Sequence, residues 1–220
     1  MTPRADVGEK ILHLRRSTGI VSGMRVTGGI LRGRLVKVPK GDAVRPTQDM
    51  VRQALFSSLA VRIPGASFLD LFAGSGAVGL EAWSRGAARI DWVESDSRVF
   101  LVLQDNLKTL CGGPAAAGKT ADQEWRAVRS DVFTFLKKLP GVPAYDIVFA
   151  DPPYDRLGVD QWAVRLLNAL AMGGLLADDG FFVMEQSREE PEARHFAWDV
   201  TTVKVYGGTR LTLYRKRGHQ

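Results

Sequence analysis

Apolar residues along this chain fall into two rhythms. Short blocks of four to nine mostly apolar or alternating residues predict strands near 67–70, 89–94, 126–129, 146–150, 180–185, 197–205 and 210–215. Between the first five of these, apolar residues recur every three or four positions, as on one face of a helix. Repeated alternation of strand and helix implies a parallel sheet. The last two strands are joined through Tyr206-Gly207-Gly208-Thr209, a hairpin signal, and so place one antiparallel strand in that sheet. Ahead of the sheet, residues 25–38 read as a small β-hairpin, and Thr47 reads as the cap of a helix reaching about Ala60. Met50, Val51, Ala54, Leu55 and Leu59 would form its core-facing side. The expected architecture is α/β: a mostly parallel, Rossmann-like sheet with one antiparallel strand, plus an N-terminal hairpin and helix. Three segments follow: a flexible basic extension over 1–23, the hairpin and helix over 24–62, and the sheet domain over 63–220.

Composition narrows the class. At 220 residues and 45% hydrophobic, the chain suffices for one sizeable core. Its single cysteine, Cys111, permits no internal disulfide and fits a reducing cytoplasm. Apolar runs approaching the ~20 residues of a membrane span are absent, and residues 1–23 hold Arg15-Arg16 without the apolar core of a secretory signal. His13, His195 and His219 lie far apart without Cys partners at ligand spacing, so no metal site is expected. Two polar stretches, 111–124 and Arg188-Glu189-Glu190-Pro191-Glu192, read as a surface insertion and a solvated turn.

Charge distribution says more than its total. Residues 1–60 carry 11 Lys and Arg against 4 Asp and Glu, whereas the other 160 carry 19 against 20. The +6 net charge therefore belongs to the N-terminal quarter. A basic patch set apart from a catalytic centre suits phosphate-backbone binding, and Arg32, Arg34, Arg45 and Arg52, set among glycines and a proline, are the candidate phosphate contacts.

The candidate chemistry lies at strand ends. Phe68-Leu69-Asp70-Leu71-Phe72-Ala73-Gly74-Ser75-Gly76-Ala77-Val78-Gly79 is a buried strand running into a glycine turn and a helix, with the spacing Gly-x-Gly-x-x-Gly at Gly74, Gly76 and Gly79. That spacing equally suits a dinucleotide. Asp70 tips the choice, because a carboxylate beside the turn repels a pyrophosphate but pairs with an ammonium group; S-adenosylmethionine is favoured over NAD. Glu94 ends the next strand 24 residues after Asp70, where an acid can grip ribose hydroxyls. Asp131, followed by Val132, is placed to accept from an adenine amino group, and equally to cap a helix over 132–138.

Asp151-Pro152-Pro153-Tyr154 follows Ile147-Val148-Phe149-Ala150, at a strand's C-terminal edge, where open α/β sheets hold ligands. An exocyclic amine on a planar ring is a poor nucleophile, since its lone pair is delocalised. Asp151 and the Pro152 carbonyl can accept its two N–H bonds, Tyr154 can stack on the ring, and the prolines hold these acceptors in place.

From about Met24 onward the chain resembles the RsmD family of bacterial rRNA methyltransferases. The resemblance rests on Thr27-Gly28-Gly29 with Arg32-Gly33-Arg34, and on Arg45-Pro46-Thr47 followed by Val51-Arg52-Gln53-Ala54-Leu55-Phe56. It rests also on Phe72-Ala73-Gly74-Ser75-Gly76 with Gly79-Leu80-Glu81-Ala82, and on the tetrad at Asp151. Met50, Gln53 and Ser57 depart from the family's helix, which carries Arg, an acid and Asn there. The resemblance implies a class I methyltransferase fold, S-adenosylmethionine as cofactor, and methylation of N2 of one guanine in 16S rRNA or the small subunit by a monomer. It makes the candidate phosphate contacts Arg32, Arg34, Arg45 and Arg52 RNA contacts. The residues alone leave three alternatives open: a DNA adenine-N6 methyltransferase, a protein glutamine methyltransferase and a noncatalytic RNA-binding assembly factor. The 81 positions between Asp70 and Asp151 are consumed by strands and helices, which speaks against an inserted DNA-recognition domain.

Overall fold

In the computed structural model, the described residues are 23–39, 46–112, 123–139, 145–154 and 161–218. The extension up to residue 22, Arg45, His13, His219 and most of the 111–124 insertion lie outside them. Nine strands and five helices are found among the described residues. A two-stranded antiparallel hairpin, β1 (Gly23–Arg25) with β2 (Leu35–Lys37), precedes α1 (Pro46–Ser58). The helix thus begins one residue before the expected cap, with a proline in its first turn, where the ring's missing N–H costs nothing.

Then follow β3 (Ser67–Leu71), α2 (Ala77–Ser84), β4 (Arg89–Glu94), α3 (Ser97–Leu110), β5 (Glu124–Arg129), α4 (Val132–Lys137), β6 (Tyr145–Ala150), α5 (Trp162–Met172), β7 (Leu176–Ser187), β8 (Trp198–Tyr206) and β9 (Thr209–Lys216). Seven of the strands form one sheet in the order β5-β4-β3-β6-β7-β9-β8. All neighbours are parallel except β9, which runs antiparallel to both β7 and β8, as the terminal hairpin required. The chain leaves β3 in one direction through β4 and β5, then returns to lay β6 on β3's other side. That reversal opens a crevice beyond the carboxyl ends of β3 and β6.

Side chains alternate across the sheet, and each face has its own core. Phe68, Ile90, Trp92, Phe149 and Val183 pack with α1, α2, α3 and the hairpin. Leu69, Val93, Val148, Phe182 and Met184 pack with α4 and α5. Burying a side chain of this size stabilises by about 1.5–3 kcal/mol, so the two faces lock strand register. The period of two has a consequence at the carboxyl edge. Asp70, Glu94, Asp151 and Glu185 share the parity of the first face and emerge on the α1 side of β3, β4, β6 and β7.

Two expectations are corrected. Met50 is 58% exposed, whereas Phe56 and Arg52 are buried with Val51, Leu55 and Leu59, so the inward face of α1 is rotated toward Arg52. The 188–192 stretch is no solvated turn at Glu190: that residue is buried, its carboxylate accepts from Gln186 Nε2 and Ser187 N, and Arg210 Nη1 donates to its carbonyl.

Candidate active site

A cavity of about 780 Å³ opens at the crevice, within the usual range for small-molecule sites. Its walls include Asp70, Phe72, Ala73, Gly74, Ser75 and Glu94 from the glycine-turn side, and Asp151, Pro152, Pro153 and Tyr154 from the end of β6. Met24, Val38, Arg52 and Leu55 close it from the hairpin and α1, and Glu185 comes from β7. A smaller groove of about 430 Å³, between the end of α1 and strands β7 to β9, contains none of the expected site residues.

The glycine turn is shaped by carboxylates. Glu94 accepts from Gly74 N (2.9 Å) and Asp96 N (2.7 Å), so it braces the turn while lining the cavity. Asp70 Oδ2 accepts from Gly79 N (2.9 Å) at the first turn of α2. Its carboxyl is held well above the usual range, by burial first and then by Asp151 and Glu94, with the Gly79 N–H opposing. The three glycines differ in kind. Gly74, at φ 55°, has no atom within 4 Å of where a Cβ would sit, which leaves the backbone open to a ligand. Gly79 lies under Trp92, whose Nε1 would be 2.2 Å from such a Cβ, so its role is helix–sheet packing. Gly76, at φ 83°, meets Leu103 in the same way. Neither Gly76 nor Gly79 lines the cavity.

Asp151 sits at the cavity wall, exposed to its interior yet ringed by protein. Loss of surrounding water, then the charge of Glu190, pushes its carboxyl up to about 7. Ala150 pairs with Met184, so Asp151 and Glu185 are the next residues along two adjacent parallel strands. Glu185 is raised well above its ordinary value by burial and by Asp151, while Arg52 opposes the shift. Pro152 is buried, and the Tyr154 ring stands 45% exposed at the mouth.

Other expected residues are placed differently. Asp131 and Val132 do not line the cavity; Asp131 is exposed and caps α4 by accepting from Thr134 N at 2.9 Å. Arg32 and Arg34 are exposed on the hairpin loop. Arg52 is 5% exposed, and its Nη2 donates to the Arg25 carbonyl (2.6 Å) and Asp49 (2.9 Å), so its charge is spent inside the protein and not on a surface phosphate. Reading Arg52 as a phosphate contact is therefore corrected. Helical spacing held the clue, since Arg52 and Phe56 are four residues apart beside the buried Val51-Leu55-Leu59 row.

The residue that sequence reasoning passed over is Glu81. Wholly buried on α2, it accepts from Thr27 N (2.7 Å), Thr27 Oγ1 (2.6 Å) and Arg85 Nη2 (2.7 Å), and lies 3.5 Å from Arg52 Nε. Gly28 and Gly29 allow the approach: a Cβ on Gly29 would fall 1.8 Å from the Ser84 carbonyl oxygen. Asn106 ties the hairpin to the glycine turn, donating to Lys37 O and Ser75 O.

With that anchoring in view, the match to known proteins extends over both the hairpin and the sheet. A family model described as "Conserved hypothetical protein 95" matches residues 24–215. Ribosomal RNA small subunit methyltransferase D of Escherichia coli strain K12 is 39% identical over 194 residues, covering 88% of this chain and 90% of that protein. The chain belongs to the RsmD family of rRNA methyltransferases. The Haemophilus influenzae protein of the same name is 30% identical, covering 87% of this chain and 93% of its own. The solved structure of yhhF from Escherichia coli superposes with a TM-score of 0.72 at 36% identity, covering 90% of this chain and all of that one. Within the RsmD match lie Thr27-Gly28-Gly29 and Glu81, so the anchoring of hairpin to sheet domain falls inside the matched span. Among the described residues, no helix is long and apolar enough to cross a membrane, and no group of three His, Cys, Asp or Glu is arranged to hold a metal.

Proposed function

We propose that this chain transfers the methyl group of S-adenosylmethionine to the exocyclic N2 of one guanine in 16S rRNA, acting as a single chain on small-subunit RNA in the cytoplasm. The observation that carries the reading is the placement of Asp151 and the Pro152 carbonyl at the switch-point crevice, in the same cavity as the Gly74 turn, within a chain of this family. The donor set fits the cofactor. Asp70 is buried among like charges that a ligand ammonium would offset, Gly74 is open to close approach, and Glu94 lines the cavity wall as a carboxylate able to accept from ribose hydroxyls. When bound, the cofactor supplies an electrophilic methyl group.

The protein's own part is orientation and proton handling. Asp151 and the Pro152 carbonyl accept the two N2–H bonds and turn the nitrogen lone pair out of the ring's conjugation, while Tyr154 stacks on the base. No covalent link to the protein is needed. As N2 gains its new N–C bond it becomes strongly acidic, and a carboxylate near pH 7 takes the departing proton. Because N2 is occupied within a paired helix, the target is an unpaired or flipped-out nucleotide. Arg32 and Arg34 on the hairpin, with Arg45, are the proposed phosphate contacts.

Mass-spectrometric mapping of rRNA from cells with and without this gene tests the proposal. Loss of one N2-methylguanine from 16S rRNA is expected; an unchanged small-subunit methylation pattern overturns it.

A further inference from the structure

The amine-orienting tetrad accounts for the N2–H bonds of the target but leaves one cavity carboxylate without a task. Glu185 extends from β7 beside Asp151, on the same face of the sheet, and is only partly covered. Behind it stands Arg52, whose guanidinium is nine-tenths buried, lines the same cavity, and has an Nε without a hydrogen-bond partner. The other Arg52 nitrogens are held by Arg25 O, Asp49 and Met24 Sδ, which fixes the plane of its positive charge. A carboxylate left at a cavity wall costs desolvation unless a ligand supplies donors: burial and Asp151 push Glu185 toward its neutral form, Arg52 opposes that shift, and a ligand N–H at the carboxylate would favour the ionised form further.

Guanine presents donors side by side on its Watson–Crick edge, the N1–H next to the N2 amine. Adjacent parallel strands are ~4.8 Å apart, which suits two neighbouring carboxylates reading two neighbouring donors. Adenine offers a bare N1 acceptor at the matching place, and a carboxylate facing it gains no hydrogen bond and meets a lone pair.

We propose that Glu185 is the base-specificity residue of this active site: it accepts the guanine N1–H while Asp151 holds the N2 amine, and Arg52 positions it. This rests on the rRNA guanine-N2 reading above. It adds that selection for guanine is made by one carboxylate on β7, separate from the tetrad that activates the amine.

The test uses 2-aminopurine, which keeps the exocyclic amine of guanine but lacks the N1–H. Small subunits are reassembled with rRNA carrying either guanine or 2-aminopurine at the nucleotide identified by mapping, and methyl transfer is measured for the full chain and for Glu185→Gln and Glu185→Asp. The parent chain is expected to prefer guanine by roughly 10- to 100-fold, the scale on which one good base contact discriminates against the wrong base. In Glu185→Gln, whose amide can donate to a bare N1, that preference should collapse by more than about 10-fold, with S-adenosylmethionine affinity by calorimetry within about 3-fold of the parent. Glu185→Asp should retain a guanine preference at reduced turnover. An unchanged guanine to 2-aminopurine ratio in Glu185→Gln overturns the assignment and leaves the rRNA reading intact. A large loss of cofactor affinity overturns it by placing Glu185 at the cofactor. Failure of the parent chain to methylate the guanine-bearing subunit overturns the rRNA reading, and this inference with it.

Discussion

Arg52 Nε lies 3.5 Å from Glu81 Oε2, and the two side chains are 5% and 0% exposed. An arginine from α1 and a glutamate from α2 thus meet behind the cavity wall, with Thr27 of the hairpin loop donating twice to the same carboxylate. Glu81 is the point at which hairpin, helix and sheet domain are fastened together, and Arg52 passes that fastening on to the active site.

Glu81→Ala removes one of the two carboxylates beside Arg52, leaving Asp49 at 2.9 Å, takes the partner from the partly exposed Arg85, and strands the Thr27 N–H. Leaving a buried charge wholly unpaired costs about 3–5 kcal/mol, so with Asp49 still in place urea denaturation should show a loss of about 2–3 kcal/mol, the scale of a stranded buried donor plus a weakened ion pair. A loss under about 1 kcal/mol would show that the hairpin is held by its apolar packing instead.

Asp151→Ala should lower turnover at least ~100-fold, the scale for one preorganised polar group in a transition state. S-adenosylmethionine binding by calorimetry should change far less, since Asp70, Gly74 and Glu94 remain. Near-normal turnover would remove the tetrad from the mechanism.

Activity should rise with pH through about 7. Only when ionised can Asp151 accept N–H bonds at full strength and take the departing proton, and its carboxyl is raised to about 7 in the folded chain, so kcat/KM should climb to a plateau above that value. Stability moves the other way. With 3.8 as the ordinary value and about 7 when folded, the folded state binds more protons across that window, and this group's contribution falls as pH rises through it. Asp151→Asn should therefore raise the Tm relative to the parent at pH 8 and much less at pH 4, while abolishing the rise in kcat/KM. Calorimetric scans at the two pH values decide it.

Gly74 and Gly79 should respond differently to substitution. Gly74→Val puts a β-branched residue at φ 55°, a strain of about 1–3 kcal/mol, and fills the side open to the cofactor, so binding should weaken in a chain that circular dichroism reports as folded. Gly79→Ala drives a methyl into the Trp92 ring, and its Tm should fall even though alanine is the better helix former. Equal effects of both on cofactor binding alone would contradict the division into ligand-facing and packing glycines.

Arg32→Gln with Arg34→Gln should weaken RNA binding and flatten its logarithmic salt slope by up to ~0.7–0.9 for each phosphate no longer neutralised. Arg52→Gln should instead lower stability with little change in that slope, because its charge is paired internally. Filter binding across a salt series separates the two. An unchanged slope in the double variant would leave the hairpin arginines as a solvated face.

Features governed by neighbours in sequence were legible without coordinates. The period of two in Phe68-Leu69-Asp70-Leu71 and Ile147-Val148-Phe149-Ala150, the glycine turn and the terminal hairpin are set by pleat geometry and local backbone freedom, and they placed Asp70, Glu94 and Asp151 at strand ends. Partners 20 to 130 residues apart were another matter. Glu81 sits in a helix where its type, and an Arg85 four residues on, suggest a solvent-exposed ion pair, and only the docking of Thr27 and Arg52 around it makes it a buried hub. Arg52 reads as a basic surface residue until α1 is rotated by what packs beneath it, and Glu185 becomes a site residue only once β7 lies against β6 in register with Asp151. Local sequence determined which segments become strands and turns, because backbone sterics and side-chain period act over a few residues. The pairing of charges and the company of Asp151 were decided by the tertiary structure, because electrostatic and hydrogen-bond partners are selected by distance in space: the sheet order sets Glu185 beside Asp151, and the docking of hairpin and α1 on α2 brings Thr27 and Arg52 to Glu81.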